Sequence, residues 1–237
     1  LSEPLKPGIE KLLSEGGKYY LVIFDSLSNS QRQDRKSGIE IEFSRYGYGS
    51  DRFEIIDVDQ LTQMGEAFPA VVSYINSDIS FGESFDIWSQ RSEILKPTSF
   101  YPDEDRTRII EDIRERLRKD ESNRIIRVVG LSGLGKTRTV HESLASDEFK
   151  DQVLYTEASR IISSPLFGRL QSDSSLHSIL VVDECDLESH RRLVSAFSTQ
   201  ANRMAVISIS NDFGSVASHT VVHTLSQLNI DKIKQLL

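Results

Sequence analysis

Cysteine is nearly absent from this sequence. Cys185 stands alone among 237 residues, which excludes an internal disulfide and a cysteine-based zinc site and points to the cytoplasm as the compartment. Basic residues are also in deficit. Lys plus Arg number 28 against 36 Asp plus Glu, a formal charge of −8, which makes the chain a poor general platform for nucleic acid and leaves only a local basic patch open. No stretch approaches the roughly 18 consecutive apolar residues that a membrane-spanning helix needs. The opening LSEPLKPGIE lacks the basic-then-apolar layout of a secretory leader, and there is no internal repeat or low-complexity tract. The chain starts at Leu1 rather than Met and ends on IDKIKQLL, a helix-periodic stretch without a stop signal, so it reads as a piece of a longer protein. What is present, 38% apolar and 27% charged residues, is the balance of a folded globular chain rather than a disordered one.

Two parts are expected. In residues 1–97, a short helix after Pro7 is closed by Gly16 and Gly17, and KYYLVIFD reads as a buried strand. A helix through QRQDRKSGIEIEF follows, capped from the Ser28–Ser30 stretch and weakened by Gly38. FEIIDVD is a second strand and QLTQMGEAF a helix, giving β-α-β-α and hence a small α/β unit with parallel strands. Residues 76–103 turn polar and carry Gly82, Pro97 and Pro102, so the division is expected near residue 97, with Trp88 on a short helix anchoring the two parts. In residues 98–237, DEDRTRIIEDIRERLRKD is helical, its Ile109, Ile110, Ile113 and Leu117 forming one face. Asp112 with Arg116 and Glu115 with Lys119 are acid-then-base pairs four apart on its solvated side. Five apolar strands, IIRVV, QVLYTEA, ILVVD, MAVISIS and TVVHTL, alternate with helices, which predicts a three-layer α/β/α domain with a parallel sheet.

Residues 130–137, GLSGLGKT, match G-x-x-x-x-G-K-S/T, and an apolar strand leads into the match while a helix leaves it. Wrapping a phosphate chain in backbone N–H groups demands glycine where a side chain would block the approach, which assigns roles to Gly130, Gly133 and Gly135. Leu131, Ser132, Leu134 and Arg138 complete the expected phosphate-binding stretch, and the helix that starts at Lys136 brings its positive end to an anion. Lys136 supplies full charge to the β and γ phosphates, and Thr137 offers its hydroxyl to Mg2+. Downstream, SILVVDECD ends a buried strand in two carboxylates. Asp183 is expected to hold Mg2+ through water, and Glu184 to act as general base toward the attacking water. Asn211, at the end of MAVISIS, is placed near the γ-phosphate to orient water or sense the phosphate, with a simple turn residue as the alternative. No N-K-x-D-like guanine reader occurs, so ATP is favoured over GTP.

The remaining chemistry-bearing residues read blandly. Cys185 beside two carboxylates is no nucleophile, and His141, His177, His190, His219 and His223 form no metal-ligand set. Arg191 and Arg192 suit a solvated helix face, with an intersubunit arginine finger as the alternative, and Phe100 with Tyr101 stand where an adenine base could be flanked.

GLSGLGKT, LVVDE and ISISN, in this order, resemble the additional-strand P-loop ATPases, which include AAA+ proteins and the STAND signalling ATPases. SFYPDEDRTRIIEDIRERL before the P-loop strand, with VVGLSGLGKTRTVHESL after it, resembles bacterial STAND proteins of the NLR-like antiviral type. This resemblance covers residues 98–237 and implies the sheet order 5-1-4-3-2. It also implies an ATP-hydrolysing switch that forms homo-oligomers in the full-length parent, is triggered by a phage protein or nucleic acid, and controls a linked effector such as a nuclease. Residues 1–97 resemble the end of a restriction-endonuclease-like effector region. Such a nuclease needs an Asp followed by Glu-x-Lys on a strand, and Glu40 and Glu42 lack the lysine. Two other readings stay open: an AAA+ ATPase or nuclease fragment that handles DNA, and a nucleotide-dependent scaffold without turnover.

Overall fold

The computed structural model describes residues 5–76, 81–91, 100, 102–119, 124–216 and 218–227. It divides into two units, Leu1–Gly65 and Glu66–Leu237.

The first unit runs α1 (Pro7–Ser14), β1 (Tyr19–Ile23), α2 (Asn29–Ser44), β2 (Phe53–Asp57) and α3 (Val58–Glu66). β1 and β2 pair in parallel, from Tyr19 opposite Phe53 to Ile23 opposite Asp57, as the β-α-β pattern requires. α2 continues through Gly38 because its start is well secured. Ser28 Oγ accepts from Gln31 N while the Gln31 side chain accepts from Ser28 N, so two orphan helix donors are satisfied, against a glycine cost of about 1 kcal/mol. Leu13, Phe43, Phe53 and Ile55 form the buried core, with the Phe43 and Phe53 rings edge to face at 5.5 Å. Glu40 and Glu42 lie on this helix and not on a strand, where they face Lys36 and Arg45.

The second unit continues with α4 (Pro69–Asn76), β3 (Glu83–Ser84), α5 (Phe85–Arg91), α6 (Glu104–Arg118), β4 (Ile125–Val129) and α7 (Lys136–Leu144). It is completed by β5 (Val153–Glu157), α8 (Ala158–Ile161), α9 (Pro165–Ser172), β6 (Ser178–Asp183), α10 (Leu187–Phe197), β7 (Met204–Ser210) and β8 (Val221–Thr224). These strands form one sheet in the order β3-β5-β6-β7-β4-β8, parallel except for β3, which runs antiparallel along β5. Without β3 this is the order 5-1-4-3-2. The central strands β4, β6 and β7 are mostly apolar and buried nearly throughout because both faces are covered, whereas the edge strand β8 is only half-buried. Ile126, Val128, Ile179, Val181 and Ile207 pack into one core, and Ile125, Leu180, Val182, Met204 and Val206 into the other. The two periodic pairs on α6 both form, Arg116 to Asp112 at 2.6 Å and Lys119 to Glu115 at 2.6 Å, and Asp103 caps the helix by accepting from Arg106 N.

The division falls at Gly65 and not near residue 97. Residues 66–76 and 81–91 belong with the large sheet, which Glu83–Ser84 joins as β3, and Trp88, only 1% exposed, sits in the same core as Val128 and Val181. Polar, proline-bearing composition marks loops, but it carries no signal for which sheet a two-residue strand will join. The expected closing helix over IDKIKQLL lies outside the described residues, as does Tyr101.

Candidate functional site

β4 is buried at every position and delivers the chain to Gly130 at the C-terminal edge of the sheet. A Cβ at Gly130 would lie 3.0 Å from the Leu225 carbonyl oxygen and 3.3 Å from Leu225 Cβ, so glycine here allows the loop to pass tightly beside the chain leaving β8. Gly133 and Gly135 both have φ of +81°, the left-handed region that other residues enter only at a cost. Gly135 is the residue that turns the loop into α7, and its carbonyl accepts from Thr139 N.

Lys136 and Thr137 are therefore the first two residues of a helix aimed at the loop's concave side. Lys136 is 8% exposed, and its Nζ donates to Leu131 O at 3.0 Å and to Asn211 Oδ1 at 2.7 Å. Burial lowers its pKa, and the nearby Asp183 charge opposes that shift. Thr137 Oγ1 donates to Asp183 Oδ2 at 2.9 Å, and the Tyr155 hydroxyl donates to the same oxygen at 3.1 Å. The other carboxylate oxygen, Oδ1, accepts from the backbone N–H of Glu184 at 2.8 Å. Glu184 is exposed with φ of 48°, a left-handed conformation unusual for a residue with a side chain.

A cavity of about 470 Å³ opens over these groups. Of the expected loop residues, Ser132, Gly133, Gly135, Lys136, Thr137 and Arg138 line it. Gly130, Leu131 and Leu134 do not. Gly130 is buried beneath the loop, Leu131 contributes its carbonyl to Lys136 while its side chain faces solvent, and the Leu134 carbonyl accepts from the buried Arg106 at 2.7 Å. Asp183, Glu184 and Asn211 all line the cavity. The sheet order explains this convergence: β7 lies between β6 and β4, so the residue after β7 ends up between the acid and the loop. Tyr155, Glu157 and Ser210 also line the cavity and were not anticipated. The signal was available. β5 neighbours β6 in parallel, with Glu157 opposite Asp183 in register, so the last residues of VLYTE had to end beside the acid.

Other expected residues are placed differently. Phe100 lies under the Arg138 guanidinium, 5.7 Å from ring centroid to carbon, and is not among the residues lining the cavity. Cys185 is fully buried, and it is burial first of all that pushes its thiol up to about 12, with the neighbouring carboxylates a lesser cause. Arg191 and Arg192 are exposed on α10. His141 and His190 are held neutral by burial, each with its pKa down to about 4. Among the described residues no group of three or more His, Cys, Asp or Glu forms a metal cage. Mg2+ needs no such cage: it takes one or two protein oxygens and completes its shell with water and phosphate. The fit rests on Thr137. Its hydrogen is used on Asp183, so the lone pairs of its oxygen remain for a cation, with the carboxylate held directly behind.

No protein-family model matches the chain, and no curated protein matches it. Solved structures do overlap it. C. elegans PCH-2 matches 52% of this chain and 43% of its own, at 17% identity and a TM-score of 0.35. The AMPPCP-bound DnaA of Aquifex aeolicus matches 58% of each chain, at 15% identity and a TM-score of 0.39. A chain of the E. coli MS115-1 HORMA:CdnC:Trip13 complex matches 57% of this chain and 66% of its own, at 12% identity and a TM-score of 0.41. The overlap spans less than two thirds of each of those chains. Superpositions this loose say nothing about activity, and the chemistry has to be read from the cavity. Among the described residues, no helix is long and apolar enough to cross a membrane.

Proposed function

We propose that the second unit binds ATP with Mg2+ and hydrolyses it. One observation carries the reading: Lys136, the Thr137–Asp183 pair and Asn211 converge on a single cavity at the C-terminal edge of a parallel sheet, in front of the N-terminus of α7. The amide N–H groups of the loop and the first turn of α7 wrap the phosphates. Lys136, whose ammonium the Leu131 carbonyl and Asn211 hold on this wall of the cavity, donates to phosphate oxygens, which are stronger acceptors than either. Thr137 and Asp183 are the residues that would hold the cation. When bound, Mg2+ neutralises charge on the phosphates and polarises the bond to be broken. Glu184 sits at the cavity rim, where its carboxylate accepts a proton from the attacking water. Asn211 orients that water or the γ-phosphate.

The finer part of the proposal comes from the resemblance to STAND signalling ATPases. Nucleotide with different affinity for two conformations would switch assembly of identical chains and, through them, a linked effector in antiviral defence. Two variants test the reading. Lys136→Ala removes a charge-assisted contact of roughly 1.5–3 kcal/mol, so ATP affinity measured by calorimetry falls on the order of 10–100-fold. Glu184→Gln retains ATP binding and loses phosphate release. Equal ATP affinity in wild type and Lys136→Ala refutes the site. ATP binding with a silent Glu184→Gln supports a scaffold without turnover instead.

A further inference from the structure

Asp183 is positioned by more than the phosphate loop. Its Oδ2 accepts from Tyr155 as well as from Thr137, and the Tyr155 ring is itself held in a parallel stack on Trp88, with centroids 4.3 Å apart and planes 7° from parallel. Trp88 meets His141 of α7 edge-on at 4.9 Å, and His141 stacks on Phe85 at 4.5 Å while its Nε2 shares a hydrogen bond with Ser89 Oγ at 2.7 Å. One aromatic block on α5 thus braces both groups expected to hold magnesium. It reaches Thr137 through the helix that carries His141, and Asp183 through Tyr155. In this contact the Tyr155 hydroxyl is the donor, because the carboxylate can only accept.

We propose that Tyr155 is a positioning residue that holds Asp183 in its magnesium-binding orientation, and that its stack on Trp88 makes α5 responsive to occupancy of the site. The inference rests on the nucleotide reading above and goes beyond it, because it assigns an outer-shell residue and a readout element that lies ahead of the phosphate loop in the chain. The physical case is that a carboxylate acting on a cation through water has a weak grip of its own. Its orientation is set by the donors behind it, and losing such a partner typically costs about 10–100-fold in metal affinity. A planar stack this tight also passes on small displacements, because close-packed rings have no free volume to absorb them.

The experiment uses the whole chain. Trp88 is its only tryptophan, so selectively excited indole emission reports on α5. ATP binding is measured by calorimetry in EDTA and over a magnesium series, and Trp88 emission is followed in parallel. Wild type is expected to change emission on binding Mg2+ and ATP together. Tyr155→Phe keeps the ring and its stack but removes the hydroxyl. It should raise the magnesium needed for half-maximal tight binding by about 10-fold and blunt the emission change. A merely structural role for Tyr155 would alter thermal stability without moving the magnesium requirement. If wild type binds ATP and Tyr155→Phe shows an unchanged magnesium requirement, or if Trp88 emission is indifferent to Mg2+ and ATP, this inference is overturned alone. If wild type binds no ATP in any condition, the nucleotide reading fails and takes this inference with it.

Discussion

Arg127 lies in the middle of β4 with no exposed surface, yet it has thin support. Its Nη1 donates to Cys185 O at 3.2 Å and its Nη2 to Asp212 O at 3.5 Å, while Nε has no partner and no carboxylate pairs with it among the described residues. Cys185 and Asp212 directly follow Glu184 and Asn211, so this cation pins the two loops that present the proposed base and phosphate sensor. The same guanidinium that organises the site therefore costs the fold. Arg127→Met keeps the apolar stem, removes the buried charge and removes one orphaned N–H, which is worth about 1–3 kcal/mol. It leaves two carbonyls short of long, weak hydrogen bonds, about 1 kcal/mol each at most. Exchanging buried ionic groups for apolar ones is often neutral or stabilising by about 1–4 kcal/mol, and the expected net here lies between no change and a gain of that size. Turnover is expected to fall on the order of 10–100-fold as the two loops lose their register. Urea unfolding followed by Trp88 emission reads the stability of the second unit, and phosphate release reads the site. The His190 imidazole gives a third signal. Burial is the main cause of its low pKa, but Arg127 repels its protonated form, so its pKa should rise in the variant when followed by NMR. Loss of more than about 2 kcal/mol of stability, or an unaltered turnover, would refute this account of Arg127.

Other consequences can be measured directly. Gly135→Ala places a Cβ in open space at φ of +81°, so its cost is conformational, about 1–2 kcal/mol in the urea midpoint; Gly130→Ala instead drives a Cβ against the Leu225 carbonyl and should destabilise by steric overpacking, about 1–3 kcal/mol. His141 and His190 have pKa values of about 4 against an ordinary 6.5, so the unfolded chain binds their protons first. Stability should be full above about pH 6.5 and fall as pH drops toward 4, and a urea midpoint that stays flat across that window contradicts their burial as neutral groups. Cys185, fully buried with its thiol pushed up to about 12, should resist a thiol reagent in the native protein and react at once in denaturant. Fast native labelling would place it elsewhere.

The proposed site also explains why a chain carrying a charge of −8 can present a site for a polyanion. The attraction is local. It comes from the Lys136 ammonium, the Arg138 guanidinium, one helix end and a row of amides in the cavity lining, and Asp183 is positioned beside Thr137 to work with a cation rather than against the phosphates.

Much of this was written in the sequence. GLSGLGKT between an apolar strand and a helix sets its own local structure, because glycines permit left-handed turns and the helix end needs no distant partner. Uninterrupted apolar runs announced β4, β6 and β7 as strands covered on both faces, and the acid pair after ILVV lay where a strand must leave its sheet. The same reading fails for KYYLVIFD, where β1 pairs only with β2 and leaves Tyr20 and Val22 exposed rather than buried. Only the tertiary structure decided what stands next to what. Whether residues 66–76 and 81–91 belonged to the first or the second unit turned on a two-residue edge strand and one indole, neither with a periodicity to read. Tyr155 and Arg127 look like ordinary strand residues in the sequence. They acquire roles because parallel pairing brings strands remote in the chain into register, so that a hydroxyl on β5 reaches the acid of β6 and a guanidinium on β4 reaches the carbonyls that follow β6 and β7. Local pattern fixes which way each side chain can point, and the order of strands in the sheet fixes what it meets.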